Sequence, residues 1–350
     1  MVKYKEPLEL MGVPGSPYTR KMLALLRYRR IAYRLLPGSR HSTTAEAGRY
    51  RARPEPKVPL LPTFYYLDDN GDETAECDST PLIREFEVSF EGRSVIPDSP
   101  AMAFLDYLLE DYADEWLTKA MFHYRWSYPA DIAKAGQMLP RWRNITASDE
   151  QIAAQGKKIA DLQISRLRYV GSNEHTRETI EQSFIRFLEL LDNHLNLFPF
   201  LLGKRPSASD FSTFGQLSCL ALFDPTPQQL ILERAPRVYA WTEVMEDLSG
   251  YEFMENDWLA IDELPDTLIA LLSELGKVYV PYLLANAEAV QSGADRVETT
   301  LDGRVWQQNP FAYQAKCLKW IRNEYQNVDE DQKSPPSALL DATDISRLIK

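Results

Sequence analysis

The sequence predicts an α/β domain of order β-α-β-α-β-β-α over residues 1–98, an all-α domain over 99–250, and a mostly helical extension over 251–350 packed on the helical domain. Three observations lead there. Near the N-terminus short apolar runs alternate with one amphipathic helical pattern. A turn of composition Asp68-Asp69-Asn70-Gly71 separates two strand-like runs. From Phe104 onward the apolar residues recur every fourth position, as on a helix face.

In chain order, Leu8 to Met11 reads as the first strand, and Met22, Leu23, Leu25 and Leu26 form the apolar stripe of a helix from Tyr18 to about Tyr28. Ile31 to Leu36 reads as the second strand. The polar stretch from Pro37 to Pro56 has room for one short helix near Thr44 to Ala47. Val58 to Leu67 then reads as a strand that meets Thr74 to Cys77 across the turn, where Asn70-Gly71 supplies positive φ at low steric cost. A helix from Pro81 to Phe90 closes the domain, and Gly92 to Pro100 has the composition of a linker.

Beyond it, Phe104, Leu108, Tyr112 and Trp116 make a stripe widened by Leu105, Leu109 and Leu117. Further helices are predicted over Arg177 to Leu197 and Ser209 to Phe223. Before the latter, Ser207 reads as an N-cap, with Asp210 reaching back to a free amide. In the extension, Trp306, Phe311, Tyr313, Leu318 and Trp320 are too apolar for a disordered tail.

Composition bounds the function. With 350 residues, 44% hydrophobic and 26% charged, the chain is large enough for two cores and reads as a soluble globular protein. Met1 to Glu6 is charged and precedes no long apolar run, so the expectation is a cytoplasmic protein without membrane contact. A net charge of -12 argues against a nucleic-acid partner. The clusters Arg27, Arg29, Arg30 and Arg49, Arg51, Arg53 read as solvated surface. Cys77, Cys219 and Cys317 are far apart, and His41, His123, His175 and His194 show no ligand spacing, so no disulfide framework and no metal are expected.

Three short motifs remain: Gly15-Ser16-Pro17-Tyr18 after the first strand, Lys57-Val58-Pro59, and Asp78-Ser79. Each has a plain structural reading. Ser16 is an N-cap with Pro17 at the first helical position, Pro59 leads into a strand, and Asp78-Ser79 caps a helix. Each also has a chemical one. A hydroxyl or carboxylate at a helix N-terminus stands where free amides and the helix dipole favour an anion.

With their order and spacing, and with the Ser207/Asp210 box, these motifs resemble the cytosolic glutathione transferase family over roughly residues 7 to 250, with a thioredoxin-like first domain. The Ser-Pro-aromatic sequence is nearest to serine-type classes of the tau and omega kind. Asp78 stands where relatives have Glu or Gln, and the hairpin before it is longer than usual.

The resemblance implies glutathione as co-substrate. Ser16 is then the catalytic residue, donating its hydroxyl to the sulfur and favouring thiolate over a thiol whose ordinary pKa is about 8.5. Tyr18 and Thr19 are fallback donors. It implies a cis Pro59 with the Val58 backbone pairing the cysteinyl unit, Ser79 on the γ-glutamyl carboxylate and Asp78 on its ammonium. Arg40, His41 and Lys57 are candidates for the glycine carboxylate. A hydrophobic electrophile is expected near Tyr112, Trp116, Phe122, Tyr124 and Trp126, with Arg125 orienting it. Relatives are usually homodimers. The competing reading is a binding or interaction protein that keeps the fold without the catalysis. A thiol-disulfide oxidoreductase lacks its cysteine at position 16, and a serine hydrolase lacks its Gly-x-Ser-x-Gly elbow.

Overall fold

The computed structural model describes residues 4–36, 53–254, 256–328 and 334–350. Its N-terminal sheet has the order β2-β1-β3-β4, built from β1 (Leu8–Met11), β2 (Tyr33–Leu36), β3 (Thr63–Leu67) and β4 (Glu73–Glu76). β1 runs parallel to β2, with Leu8 opposite Tyr33, and antiparallel to β3, with Met11 opposite Thr63. A parallel pair needs a crossover. Helix α1 (Pro17–Arg29) supplies it, burying Met22, Leu25 and Leu26 and ending at Arg30 in a left-handed conformation, φ 57°.

The hairpin turn is an Asx turn. Asp68 Oδ1 accepts the amides of Asn70 and Asp72, both at 2.9 Å, and Gly71 takes the positive φ of 82°. Helix α2 (Ser79–Ser89) then covers one face of the sheet with Leu82, Ile83 and Phe86.

Several boundaries differ from the sequence reading, three of them around the candidate motifs. β2 starts at Tyr33 rather than Ile31, α2 starts at Ser79 rather than Pro81, and β3 starts at Thr63 rather than Val58. The last has a clear cause: Pro59 and Pro62 both lack the amide a ladder needs, so pairing begins after the second. The short helix expected near residues 44–47 lies outside the described residues. Arg29, read as surface, is buried against Glu87 at 3.0 Å.

The helical part begins with α3 (Pro100–Tyr112), which passes through a five-residue π-helical turn (Ala113–Leu117) into α4 (Thr118–Ser127). There follow α5 (Pro129–Arg143), α6 (Asp149–Ser165), α7 (Leu167–Val170), α8 (Arg177–His194), α9 (Ala208–Leu220), α10 (Pro225–Arg234) and α11 (Pro236–Val244). α9 is buried along its whole length. It packs on α1 so closely that a Cβ on Gly215 would stand 2.7 Å from the Pro17 carbonyl. Its start follows the sequence: Asp210 accepts the Ser207 amide and the Leu201 amide, each at 2.9 Å.

The extension comprises α12 (Asp266–Ser292), the hairpin β5 (Val297–Leu301) and β6 (Arg304–Gln308), then α13 (Ala312–Gln326), α14 (Ser334–Ala342) and α15 (Ser346–Ile349). The hairpin was not foreseen. Among the described residues α12 alone is long and apolar enough to cross a membrane, yet most of that stretch is buried inside the molecule, where it serves as a core helix. Trp306 of β6 is fully buried, its ring 5.4 Å from Trp116 and 5.6 Å from Tyr282.

Candidate functional site

The loop between β1 and α1 is held by both halves of the molecule. Ser16 caps α1, its Oγ accepting the Thr19 amide at 3.2 Å. Arg125 of α4 donates to the Gly15 carbonyl at 2.9 Å, and Trp142 of α5 packs so tightly that a Cβ on Gly15 would fall 2.5 Å from its ring. Arg20 Nε donates to the Pro14 carbonyl at 3.1 Å.

Of the three hydroxyls proposed from sequence, Tyr18 donates to the Asp114 carbonyl at 2.8 Å, and Thr19 is buried with Oγ1 facing the Val13 amide at 3.4 Å. Ser16 is partly exposed, and among the described residues its O–H meets only the Leu61 carbonyl at 3.4 Å. Capping uses the serine oxygen as an acceptor and leaves its proton to donate. The two readings of Ser16 are therefore compatible.

That contact also corrects the second motif. The cis bond expected at Val58-Pro59 is found at Leu61-Pro62 instead, and it is Leu61 that faces Ser16. Lys57, Val58 and Pro59 lie exposed on the bend before β3. The Val58 carbonyl accepts from Cys77 Sγ at 3.1 Å and from the Leu60 amide at 2.9 Å. Cys77, read from sequence as the last residue of a strand, follows the end of β4 and is partly exposed.

Asp78 precedes α2 with φ 91°, a conformation side chains other than glycine rarely adopt. Ser79 is the first residue of α2 and is buried, its Oγ 3.0 Å from Lys21 Nζ. Lys21 is fully buried too, and donates to Glu110 at 2.8 Å and Asp114 at 2.6 Å. Burial opposes its charge, but Asp114 and Glu110 outweigh that and raise its pKa. Burial likewise works against an ionised Glu110, and Arg84 at 2.6 Å together with Lys21 turns its pKa downward. Asp114 is lifted by burial to about 6 in spite of Lys21. Burial also raises Asp78, against the hydroxyl of Tyr313 on its Oδ2 at 2.8 Å.

On the next face of the same rod, Asp111 accepts from Tyr279 at 2.5 Å and Glu115 from Gln314 at 2.8 Å. Burial lifts Asp106, Asp111 and Asp210 to about 7, and Asp224 to about 6. A carboxyl that holds its proton more tightly when folded contributes most below its unfolded value, here 3.8, and loses that contribution as pH rises through the folded value. His194, whose pKa burial lowers from its ordinary 6.5, acts oppositely, but it is one group against several. Lys119, lowered by burial to about 7, acts only above that pH. The melting temperature is therefore expected to fall by several degrees between pH 5 and pH 7; a rise over that range would contradict the assignment.

The aromatic candidates for an electrophile site are placed differently. Tyr112, Trp116, Tyr124 and Trp126 are buried in the core, where Trp116 meets Tyr282 and Trp306. Phe122 is partly buried against that core and contacts Trp126. Their helical spacing marked the core-facing side of the rod. Arg125 is bound to Asp224, 2.9 Å from NH2 to Oδ2, and holds the Gly15 loop rather than a ligand. Arg40 and His41 lie outside the described residues. Among the described residues no cluster of three or more His, Cys, Asp or Glu side chains is arranged to hold a metal.

Sequence reasoning missed Leu61-Pro62, Lys21 and Tyr313. The first had a signal in the two X-Pro steps before β3. Lys21 had one in a cation adjoining the apolar stripe of α1, facing an acidic run on α3.

Residues 10–94 match the family model of the glutathione S-transferase N-terminal domain, and residues 174–243 that of the C-terminal domain. No curated protein sequence matches the chain. Similar solved structures include a glutathione transferase family member from Pseudomonas fluorescens with two glutathione bound, 13% identical, covering 68% of this chain and 87% of that one, with a TM-score of 0.39. The tau class glutathione S-transferase of mango, Mangifera indica, is 17% identical over 69% of this chain and 89% of its own, TM-score 0.38. FzlA from C. crescentus is 14% identical over 72% and 96%, TM-score 0.42.

Proposed function

The chain carries the N-terminal and C-terminal domains of the glutathione S-transferase family, and from that premise we propose that it binds glutathione beside Ser16, stabilises its thiolate and delivers that thiolate to a hydrophobic electrophile or a peroxide. The observation that supports this best is the state of Ser16: its oxygen is engaged by the Thr19 amide while its O–H, among the described residues, meets a single long contact at the head of α1. Donated to a bound sulfur, that O–H favours the thiolate over the thiol, and the positive end of α1 adds to the effect.

Ser79 suits the γ-glutamyl carboxylate. Its oxygen accepts from Lys21, which leaves its proton for a ligand. Asp78 suits the ammonium. The Leu61 backbone, at Ser16, takes the part first given to Val58, as partner of the cysteinyl unit.

Ser16→Ala is expected to lower kcat/KM for glutathione conjugation by about a hundredfold, the usual effect of losing one donor to a developing anion. The lost cap should cost about 1 kcal/mol of stability, and activity should recover in part above pH 9, where solvent supplies the thiolate. Unchanged turnover would rule Ser16 out. Retention of the wild-type protein on immobilised glutathione, with no turnover of any electrophile or peroxide, would favour the binding-protein reading.

A further inference from the structure

The first turn of α13 is fixed in place by buried polar contacts. Asn286 of α12 pairs both backbone groups of Phe311, donating to its carbonyl at 3.0 Å and accepting its amide at 2.8 Å. Gln314 donates to Glu115 at 2.8 Å and accepts from Tyr282. Between these two anchors stands Tyr313, its ring against Trp320 at 5.8 Å, its hydroxyl 2.8 Å from Asp78 Oδ2. Thus a residue of the C-terminal extension reaches the one non-glycine position in the site that is held at φ 91°.

We infer that Tyr313 is a positioning residue of the glutathione site: its hydroxyl fixes one oxygen of Asp78 so that the carboxylate meets the γ-glutamyl ammonium. This rests on the reading of the site as a glutathione pocket. A carboxylate has about four acceptor positions, so one hydroxyl leaves capacity for a cation. The groups around the pair include Lys21 from α1, Glu110 from α3, Asp114 and Glu115 from the π-helical turn and Cys317 from α13. Of these only Lys21 is a cation, and it is already bound to Glu110 and Asp114. Among the described residues no cation pairs directly with Asp78, and the ligand's ammonium would supply one.

The test measures affinity by calorimetry for two ligands, glutathione and cysteinylglycine, which has no γ-glutamyl group. Tyr313→Phe is expected to weaken glutathione binding about tenfold and to leave cysteinylglycine binding unchanged. Asp78→Asn, which keeps the tyrosine, should show the same selective loss, and the double variant should be little worse than either single one. If Tyr313→Phe does not fold, Asp78→Asn and Asp78→Ala carry the same comparison. Unchanged glutathione affinity overturns the inference. So does an equal loss for both ligands, which is a general packing effect, and so does tighter binding, which makes Tyr313 a plug. A wild-type protein that binds neither ligand fails the glutathione reading and this inference with it. Binding of glutathione without the selective loss fails the inference alone.

Discussion

Lys21→Met is expected to destabilise the protein by about 3–5 kcal/mol, the range found when one partner of a buried ion pair is removed. The lysine, Glu110 and Ser79 are all buried, and the ammonium joins α1 of the first domain to α3 and the π-helical turn of the second. Without it Glu110 still has Arg84 at 2.6 Å. Among the described residues Asp114 has no such second cation, and its Oδ1 has no hydrogen-bond partner. Lys21→Met combined with Asp114→Asn should therefore recover a good part of the loss. Urea denaturation of the two singles and the double measures this coupling. A loss below about 1 kcal/mol for the single variant would mean that the cluster is not a buried ion pair in solution.

A chain ended at about residue 250 is expected not to fold into a soluble protein. α12 packs on α8, and its Leu268, Leu271, Leu272, Leu275, Val278 and Leu283 are fully or nearly fully buried. Removing it would strip Tyr279 from the rings of Tyr112 and Trp116, and removing the hairpin would strip Trp306 from Trp116, which together make the kind of apolar patch that drives aggregation. Asp111 and Glu115 would lose Tyr279 and Gln314 at the same time, leaving two interior carboxyls without their donors. A truncated chain that stays soluble and melts cooperatively at the full-length temperature would refute this. The extension is on this view part of the second core.

The parts of the fold that could be read from sequence are those with local causes. The stripe of α1, the Asx turn before Gly71 and the reach of Asp210 back to Ser207 each depend on residues within a few positions of one another. What depended on distant partners could not be read. The proline that flanks Ser16 was assigned to Pro59 because either X-Pro step suits a strand entrance; only the pairing of Thr63 with Met11 separates them. Lys21 adjoins the apolar stripe of α1 in sequence, but its partners Glu110 and Asp114 lie 89 and 93 residues away and are brought to it only by the fold. Tyr313 is 235 residues from Asp78, and no periodicity connects them. The aromatic stripe shows a further limit: spacing identifies the buried side of a helix, and says nothing of whether a pocket or a core lies beyond it.

The π-helical turn at Ala113–Leu117 acts as an index mark between two halves of a mechanism. Asp114 Oδ2 takes Lys21 from the first domain, while its neighbour Glu115 takes Gln314 from the extension. Successive residues of a helix are offset by about 100°, so the count through this wide turn decides which carboxyl looks which way. An α-helix with one residue fewer would rotate all that follows by about 100° against α3. The two ends of the chain, and with them both sides of the Asp78 pair, are keyed to each other by a single residue of length in the middle.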